Sequence, residues 1–203
     1  MNGSGIVIFA KAPVAGLAKT RLIPALGAVG AAGLAERMLA HAVQVAAEAA
    51  PETLEVCAAP DATHPTFARL ARHHGLALAT QGVGDLGQRM HRAYVRTLAR
   101  HNRAVVIGTD APALGTACLQ QALAALEVHD AVFIPALDGG YALIGLRQPQ
   151  ASLFEGIAWS TAVVMTQTRQ RMQAAGLRWT ELPAVADVDE PPDLVHLPAG
   201  WLP

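Results

Sequence analysis

The 203 residues predict one α/β domain, a three-layer α/β/α sandwich around a mostly parallel but mixed central sheet. Three observations carry that prediction. Short β-branched, apolar runs alternate along the chain with stretches whose apolar residues recur at helical spacing, the pattern of βα units. The composition is 52% hydrophobic and only 15% charged, which excludes a disordered chain and calls for a sheet buried on both faces. The segments that follow the strand-like runs are rich in Gly, Pro, Asp and Lys, and ligands of open α/β sheets bind just beyond the carboxyl ends of the strands.

The first apolar run, residues 6–10, opens onto a Gly-, Pro- and Lys-rich stretch rather than a hairpin turn, so it reads as a buried strand feeding a functional loop. Residues 31–50 are Ala-rich, with Leu34, Met38, His41, Ala42 and Val45 at helical spacing and Pro51 closing the helix. A strand over 53–58, a helix over 65–74 and a strand over 76–80 follow. A helix over 86–101, striped by Met90, Tyr94 and Leu98, leads into 104–107, the strongest short apolar run. A helix over 116–126, strands over 131–135 and 141–146, a helix over 161–175 and a strand over 177–182 complete the alternation. The strands either side of Asp138-Gly139-Gly140 are joined by a local turn, which makes the sheet mixed. No internal repeat, low-complexity tract or linker divides the chain, so a single domain over residues 1–203 is expected.

The formal net charge is −1, so no surface for coating nucleic acid is expected and any anion site must be local. Cys57 and Cys118 lie in apolar surroundings outside any CxxC spacing and read as buried free thiols. The eight histidines include no HxxxH or HxH pair, so zinc is not expected. The N-terminal apolar run breaks at Lys11, far short of a secretory or spanning segment, so a cytoplasmic location with no membrane partner is the simplest expectation.

The loop after the first strand holds Lys11, Gly16, Lys19 and Arg21 and no acidic residue, and Lys11 and Lys19 are the only lysines in the chain. A few charges usually mark a solvated turn, and a loop lysine ordinarily contributes little to a core. Concentrating both lysines here points instead to phosphate, which lysine meets as a point charge and arginine can hold bidentately. Neither the Walker pattern nor GxGxxG is present. After the strongest strand stands Gly108-Thr109-Asp110-Ala111-Pro112, where a carboxylate could serve a hard cation bridging phosphate oxygens or simply form a turn. Residues 187–194, DVDEPPDL, offer more carboxylates, and these also suit a helix start with proline in its first turn. Two glycine-rich turns, Gly82 to Gly87 around Asp85 and Asp138-Gly139-Gly140-Tyr141, would let backbone approach a ligand closely.

The phrase FAKAPVAGLAKTRL at residues 9–22, followed in order by GDLGQRM, GTDAP, DGGYALIGL and DVDEPPDL, resembles a family of bacterial glycosyltransferase-like proteins of the GT-A nucleotide-diphospho-sugar transferase superfamily. Some members are linked to arsenosugar biosynthesis. The resemblance spans nearly the whole chain and is most specific in the first motif. More distantly the chain is similar to 2-phospholactate guanylyltransferases and molybdenum-cofactor nucleotidyltransferases.

The resemblance implies that the loop with Ala10, Lys11, Gly16, Lys19 and Arg21 wraps nucleotide phosphates, with Thr109 beside it, and that Lys19 and Asp110 are catalytic. It implies Mg²⁺ or Mn²⁺ on Asp110 and Asp189, with Asp187 as the runner-up ligand. Gly84, Asp85 and Gly87 would lie beside the base, and Asp138, Gly139, Gly140 and Tyr141 would line the acceptor side. The partners implied are a nucleotide or nucleotide-sugar donor and a small-molecule acceptor. The expected reaction is sugar transfer, or, as the alternative, joining an NTP to a phosphorylated small molecule with release of pyrophosphate. Three departures from the family pattern stand out. Leu137-Asp138 replaces a pair of aspartates, DVDEPPDL replaces DVDTPEDL, and Ile157-Ala158-Trp159-Ser160-Thr161 replaces a Pro and Gly form.

Overall fold

The computed structural model of the chain describes residues 3–202. Its sheet contains β1 (Ser4–Lys11), β2 (Thr53–Ala59), β3 (Ala77–Thr80), β4 (Arg103–Ile107), β5 (Ala131–Pro135), β6 (Tyr141–Leu146) and β7 (Trp179–Glu181). Their order is β3-β2-β1-β4-β6-β5-β7, and only β6 runs against its neighbours, β4 and β5. The short connection from Pro135 to Tyr141 cannot make a crossover, so β6 has to return antiparallel.

Among the described residues five α-helices cover the sheet: α1 (Ile23–Glu48), α2 (Pro65–His74), α3 (Leu86–Leu98), α4 (Thr116–Ala125) and α5 (Val164–Ala174). Strand side chains alternate between faces with period two, and this sorts the core into two layers. Ile6, Ile8, Val105, Ile107, Val132 and Ile134 enter one layer and meet Leu39 and Val43 of α1, Phe67 of α2 and Leu119 of α4. Val7, Val106, Phe133 and Ile144 enter the other and meet Met90 and Tyr94 of α3 and Met165 and Met172 of α5. Burying each such side chain stabilises the fold by about 1.5–3 kcal/mol. The Tyr94 hydroxyl, wholly inside, donates to the carbonyl of Ile144 at 2.5 Å, so its polar atom is satisfied.

A third, smaller core decides where the chain beyond β7 goes. Leu22, Ala31, Leu34 and Met38 bury Val188 between them, and Leu194, Leu197 and Trp201 pack on top. The Trp201 ring meets His41 edge-on at 5.1 Å, and Arg37 lies 5.9 Å above it while donating to the carbonyl of Gly200 at 2.6 Å. The C-terminal segment is thereby strapped across α1.

The structure revises several boundaries. The helix expected from residue 31 begins at Ile23, because Pro24 is tolerated in a first turn and a break at Gly27 (φ 69°, ψ 166°) joins a short first segment to the rest. Glycines at 27, 30 and 33 hid that start. The helix expected to run to residue 101 stops at Leu98, and that expected from 161 starts at Val164. Among the described residues, Thr20–Glu48 is also the one stretch long and apolar enough to cross a membrane by length and composition. Here Leu34, Met38, Leu39, Val43 and Ala46 are spent on the core. Both cysteines are free, but Cys118 is only half-buried, because α4 turns it toward the margin of its layer.

Candidate functional site

Strand order reverses at β1, with β2 and β3 to one side and β4 to the other, and such a reversal opens a crevice at the carboxyl edge of the sheet. The chain leaves β1 at Lys11, which is exposed, and passes through a turn in which Ala18 N–H donates to the Val14 carbonyl at 2.9 Å. Pro13 and Ala18 are buried and anchor the turn, while Val14, Gly16 and Leu17 face solvent.

Lys19 then takes a left-handed backbone conformation (φ 46°, ψ 47°), which a residue with a β-carbon holds only when its surroundings over-determine it. Those surroundings are three acceptors. Its Nζ lies 2.5 Å from Asp110 Oδ1 and 2.9 Å from Asp189 Oδ1, and it donates to the carbonyl of Val188 at 2.6 Å. An ammonium has three protons, so all are used. Lys19 is not a solvated turn residue, because its side chain is only 8% exposed. Burial alone would lower its pKa, but the neighbouring Asp110 and Asp189 carboxylates outweigh that and hold it above the usual lysine value. Arg21 lies further out, 3.6 Å from Asp189 Oδ2 and 3.8 Å from Glu190 Oε1.

Three segments distant in sequence are joined at one residue. Val188 N–H donates to the carbonyl of Asp110 at 2.8 Å, and the Val188 carbonyl takes the Lys19 ammonium. Because both carboxylates touch one nitrogen, their oxygens are separated by no more than the sum of two hydrogen-bond lengths. Thr109, half-buried, turns its hydroxyl toward Asp110 Oδ1 at 3.4 Å. The acidic run is not the start of an α-helix. It forms a 3₁₀ turn, Pro191–His196, in which Asp193 Oδ2 accepts from the backbone N–H groups of Asp189 (3.0 Å) and Glu190 (2.7 Å). Partial burial, and next the nearby Asp138 charge, push the Asp187 carboxyl above the ordinary aspartate range.

Among the described residues no three His, Cys, Asp or Glu side chains gather into a metal cluster. Two carboxylates converging on one point nevertheless fit a hard cation that takes its other ligands from phosphate and water. In this structure the cation between them is the ammonium of Lys19.

The remaining sequence-predicted residues flank this centre. Ala10 is buried in β1, its carbonyl accepting from Gln81 Nε2 at 3.3 Å. Asp85 is the N-cap of α3: its carboxylate accepts from Gln88 N–H at 2.8 Å, and the Gln88 amide oxygen accepts from Asp85 N–H. Asp85 and Gly84 stay exposed, whereas Gly87 is buried, with room for no β-carbon beside the Phe154 carbonyl (2.5 Å) and Trp159 (2.8 Å). Gly87 therefore serves close packing rather than a ligand. Asp138 is exposed and accepts from Gly140 N–H at 2.8 Å. Gly139 has φ 92°, and a β-carbon on it would fall 2.2 Å from the Ala162 carbonyl oxygen. Tyr141 turns inward: its ring packs edge-on against Phe133 at 5.8 Å and its hydroxyl points at Met90 Sδ, so it does not line the outer face of the turn.

Two features escaped the sequence. Val188 gave no signal beyond being apolar between two aspartates. Buried Gln81 donates to the carbonyls of Ala10 and Cys57 and accepts from Arg89 at 2.9 Å, while Arg92 holds the carbonyls of Gln81 and Val83. Arginines at 89 and 92, one turn apart behind a Gly-rich loop, were the available signal.

The sheet order, the switch point at β1 and the basic loop facing carboxylates define a protein of the nucleotide-diphospho-sugar transferase class. The chain belongs to the bacterial family DUF2064, described as an uncharacterized protein conserved in bacteria, whose profile matches residues 30–161. It is similar to a protein from Desulfovibrio desulfuricans G20 named as a candidate nucleotide-diphospho-sugar transferase, with 34% identity, 96% of this chain and 85% of that chain covered, and a TM-score of 0.87. In fold alone it is similar to CMP:2-keto-3-deoxy-manno-octonic acid synthetase complexed with CTP (13% identity, 96% of each chain, TM-score 0.61). A likeness of the same kind links it to glucosyl-3-phosphoglycerate synthase from Mycobacterium tuberculosis, solved with Mn²⁺, UDP and glucosyl-3-phosphoglycerate (11% identity, 96% of this chain and 75% of that one, TM-score 0.55). No curated protein matches the chain.

Proposed function

We propose that this chain is a metal-dependent transferase that binds a nucleoside-diphosphate sugar with Mg²⁺ or Mn²⁺ and passes the sugar to a small acceptor in the cytoplasm. The observation that carries the reading is the meeting of Lys19, Asp110 and Asp189 at the carboxyl edge of β1 and β4, with Lys11 and Arg21 on the same loop. Carboxylates alone would repel a diphosphate and cations alone would need no metal; the two together suit a metal-diphosphate.

In this reading Lys11, Lys19 and Arg21 bind the phosphates, helped by backbone at Ala10, Gly16 and Thr109. The metal, when bound on Asp110 and Asp189, neutralises the charge of the departing diphosphate. Gly84 and Asp85 sit toward the base, on the β2 and β3 side of the switch point. Asp138 with Gly139 and Gly140 sits toward the acceptor, on the β5 and β6 side.

The leaving group tests it. The purified chain is incubated with Mn²⁺, a panel of nucleotide sugars and small hydroxylated acceptors, and separately with NTPs and phosphorylated small molecules. Release of a nucleoside diphosphate that depends on both acceptor and metal supports sugar transfer. Release of pyrophosphate instead reassigns the chain to nucleotidylyl transfer on the same site. Release of neither, across both panels, overturns the transferase reading.

A further inference from the structure

We propose that Lys19 is the resident cation of the two-carboxylate site: its ammonium holds the place of a divalent ion and yields it only to a metal already carrying a diphosphate. The proposal rests on the reading of the site as a metal-diphosphate site and adds an order and a coupling to it.

The first support is the filling of the site. Lys19 Nζ engages Asp110 Oδ1, Asp189 Oδ1 and the Val188 carbonyl at 2.5, 2.9 and 2.6 Å, which uses all three of its protons. A second cation brought to the same two carboxylates would stand within a few ångströms of the ammonium and be repelled by it. Metal alone therefore meets an occupied site.

The second support is the direction from which the site is open. The Lys19 side chain is only 8% exposed, whereas Asp110 and Asp189 are 51% and 42% exposed. The ammonium thus lies beneath the carboxylates, and their outer sides face solvent. A metal-diphosphate can approach that outer side without first displacing the lysine. Ala18 and Leu22, either side of the lysine, are buried, so the backbone stays anchored and the four-carbon side chain supplies the movement.

Charge decides the outcome. Two carboxylates and one ammonium leave the closed site with one negative charge, and a divalent ion in place of the ammonium brings it to zero. The released ammonium then needs a new counter-ion, and the diphosphate arriving with the metal brings one. Lys11 is exposed with no carboxylate in ion-pair range among the described residues, and Arg21 is only loosely held, so these two are available to capture the phosphates first. Metal and nucleotide must then bind cooperatively, each raising the affinity of the other by the same factor.

Lys11 and Lys19 are the only lysines, so a chain labelled with ¹³C and ¹⁵N in lysine yields two side-chain signals by NMR, assigned with Lys11→Arg. Mg²⁺ alone should leave the Lys19 signal in place, and Mg²⁺ with UDP, CDP, GDP or ADP should shift it. In parallel, Lys19→Met should bind Mn²⁺ without nucleotide at least about tenfold more tightly than the unmodified chain, read as loss of free Mn²⁺ signal by electron paramagnetic resonance. Lys19→Gln serves if Lys19→Met does not fold. If Mg²⁺ with a nucleoside diphosphate shifts Lys11 but not Lys19, or if removing the ammonium leaves Mn²⁺ affinity unchanged, the exchange is wrong while the phosphate loop stands. If neither lysine responds to any nucleotide, the reading of the site falls, and the exchange with it.

Discussion

The backbone N–H of Val188 donates to the carbonyl of Asp110 across 2.8 Å, and this one hydrogen bond ties the C-terminal strap to the loop after β4. The Val188 side chain is wholly buried against Leu22, Ala31, Leu34 and Met38, so packing sets the position from which its backbone acts. Asp189, one residue on, inherits that position.

Val188→Ala removes two methyl groups from this small core and should cost about 2 kcal/mol, which for a chain of this size lowers Tm by roughly 4–8 °C. Because the strap then holds Asp189 loosely, affinity for a metal-nucleotide should fall further than at an equally destabilised site away from the strap, such as Leu70→Ala. Calorimetry on both variants checks this; equal losses of affinity would assign Val188 to stability alone.

Lys19→Ala should weaken nucleoside diphosphate binding by roughly tenfold or more, since charge-assisted contacts contribute about 1.5–3 kcal/mol each. It should also lower Tm, because Asp110 and Asp189 lose their shared counter-ion and the Val188 carbonyl its donor. Titration calorimetry and thermal melting of the same preparation separate the two effects. A variant with unchanged affinity would remove the lysine from the phosphate site.

Asp85→Ala deletes a helix N-cap and one half of a capping box, so it should cost about 0.5–2 kcal/mol in denaturant unfolding. Asp85→Ser keeps a cap and isolates recognition. If Asp85 faces the base, the serine variant should change the order of nucleotide preference while its stability stays near that of the unmodified chain.

Gly139→Ala places a β-carbon 2.2 Å from the Ala162 carbonyl oxygen at a residue with φ 92°. Overpacking against backbone costs about 1–3 kcal/mol or more. A drop in Tm larger than that of Gly16→Ala, where φ is also positive but nothing lies within 4 Å, would separate the steric cost from backbone strain.

Asp187→Asn should raise stability at neutral pH. Burial, followed by the charge of Asp138, makes the folded protein hold this proton more tightly than the unfolded chain does. Stability is therefore lost as pH rises from the ordinary aspartate pKa of about 3.9 to the raised folded value. The gain in Tm from the substitution should persist above that window and vanish below it, which a melting series across pH will show.

The alternation of strands and helices was legible in the residues because amphipathic period and turn chemistry are local. Ile6 and Ile8 with Val7, or Val105 and Ile107 with Val106, declare strands buried on two faces before any partner is known. The loop with both lysines and the Gly108-Thr109-Asp110 turn declared themselves in the same way, by following strands. What the residues did not declare depends on contacts between distant segments. Lys19 and Asp189 are 170 positions apart, and they meet because β1 lies beside β4 and because Val188 and Trp201 strap the tail across α1. Asp85 and Tyr141 show the same limit from the other side: neither the capping of α3 by the carboxylate of a glycine-rich loop nor the packing of a tyrosine after a turn on Phe133 could be read from those loops by themselves. Local sequence sets which backbone forms. Burial and the partners of each side chain exist only once the sheet order brings those backbones together.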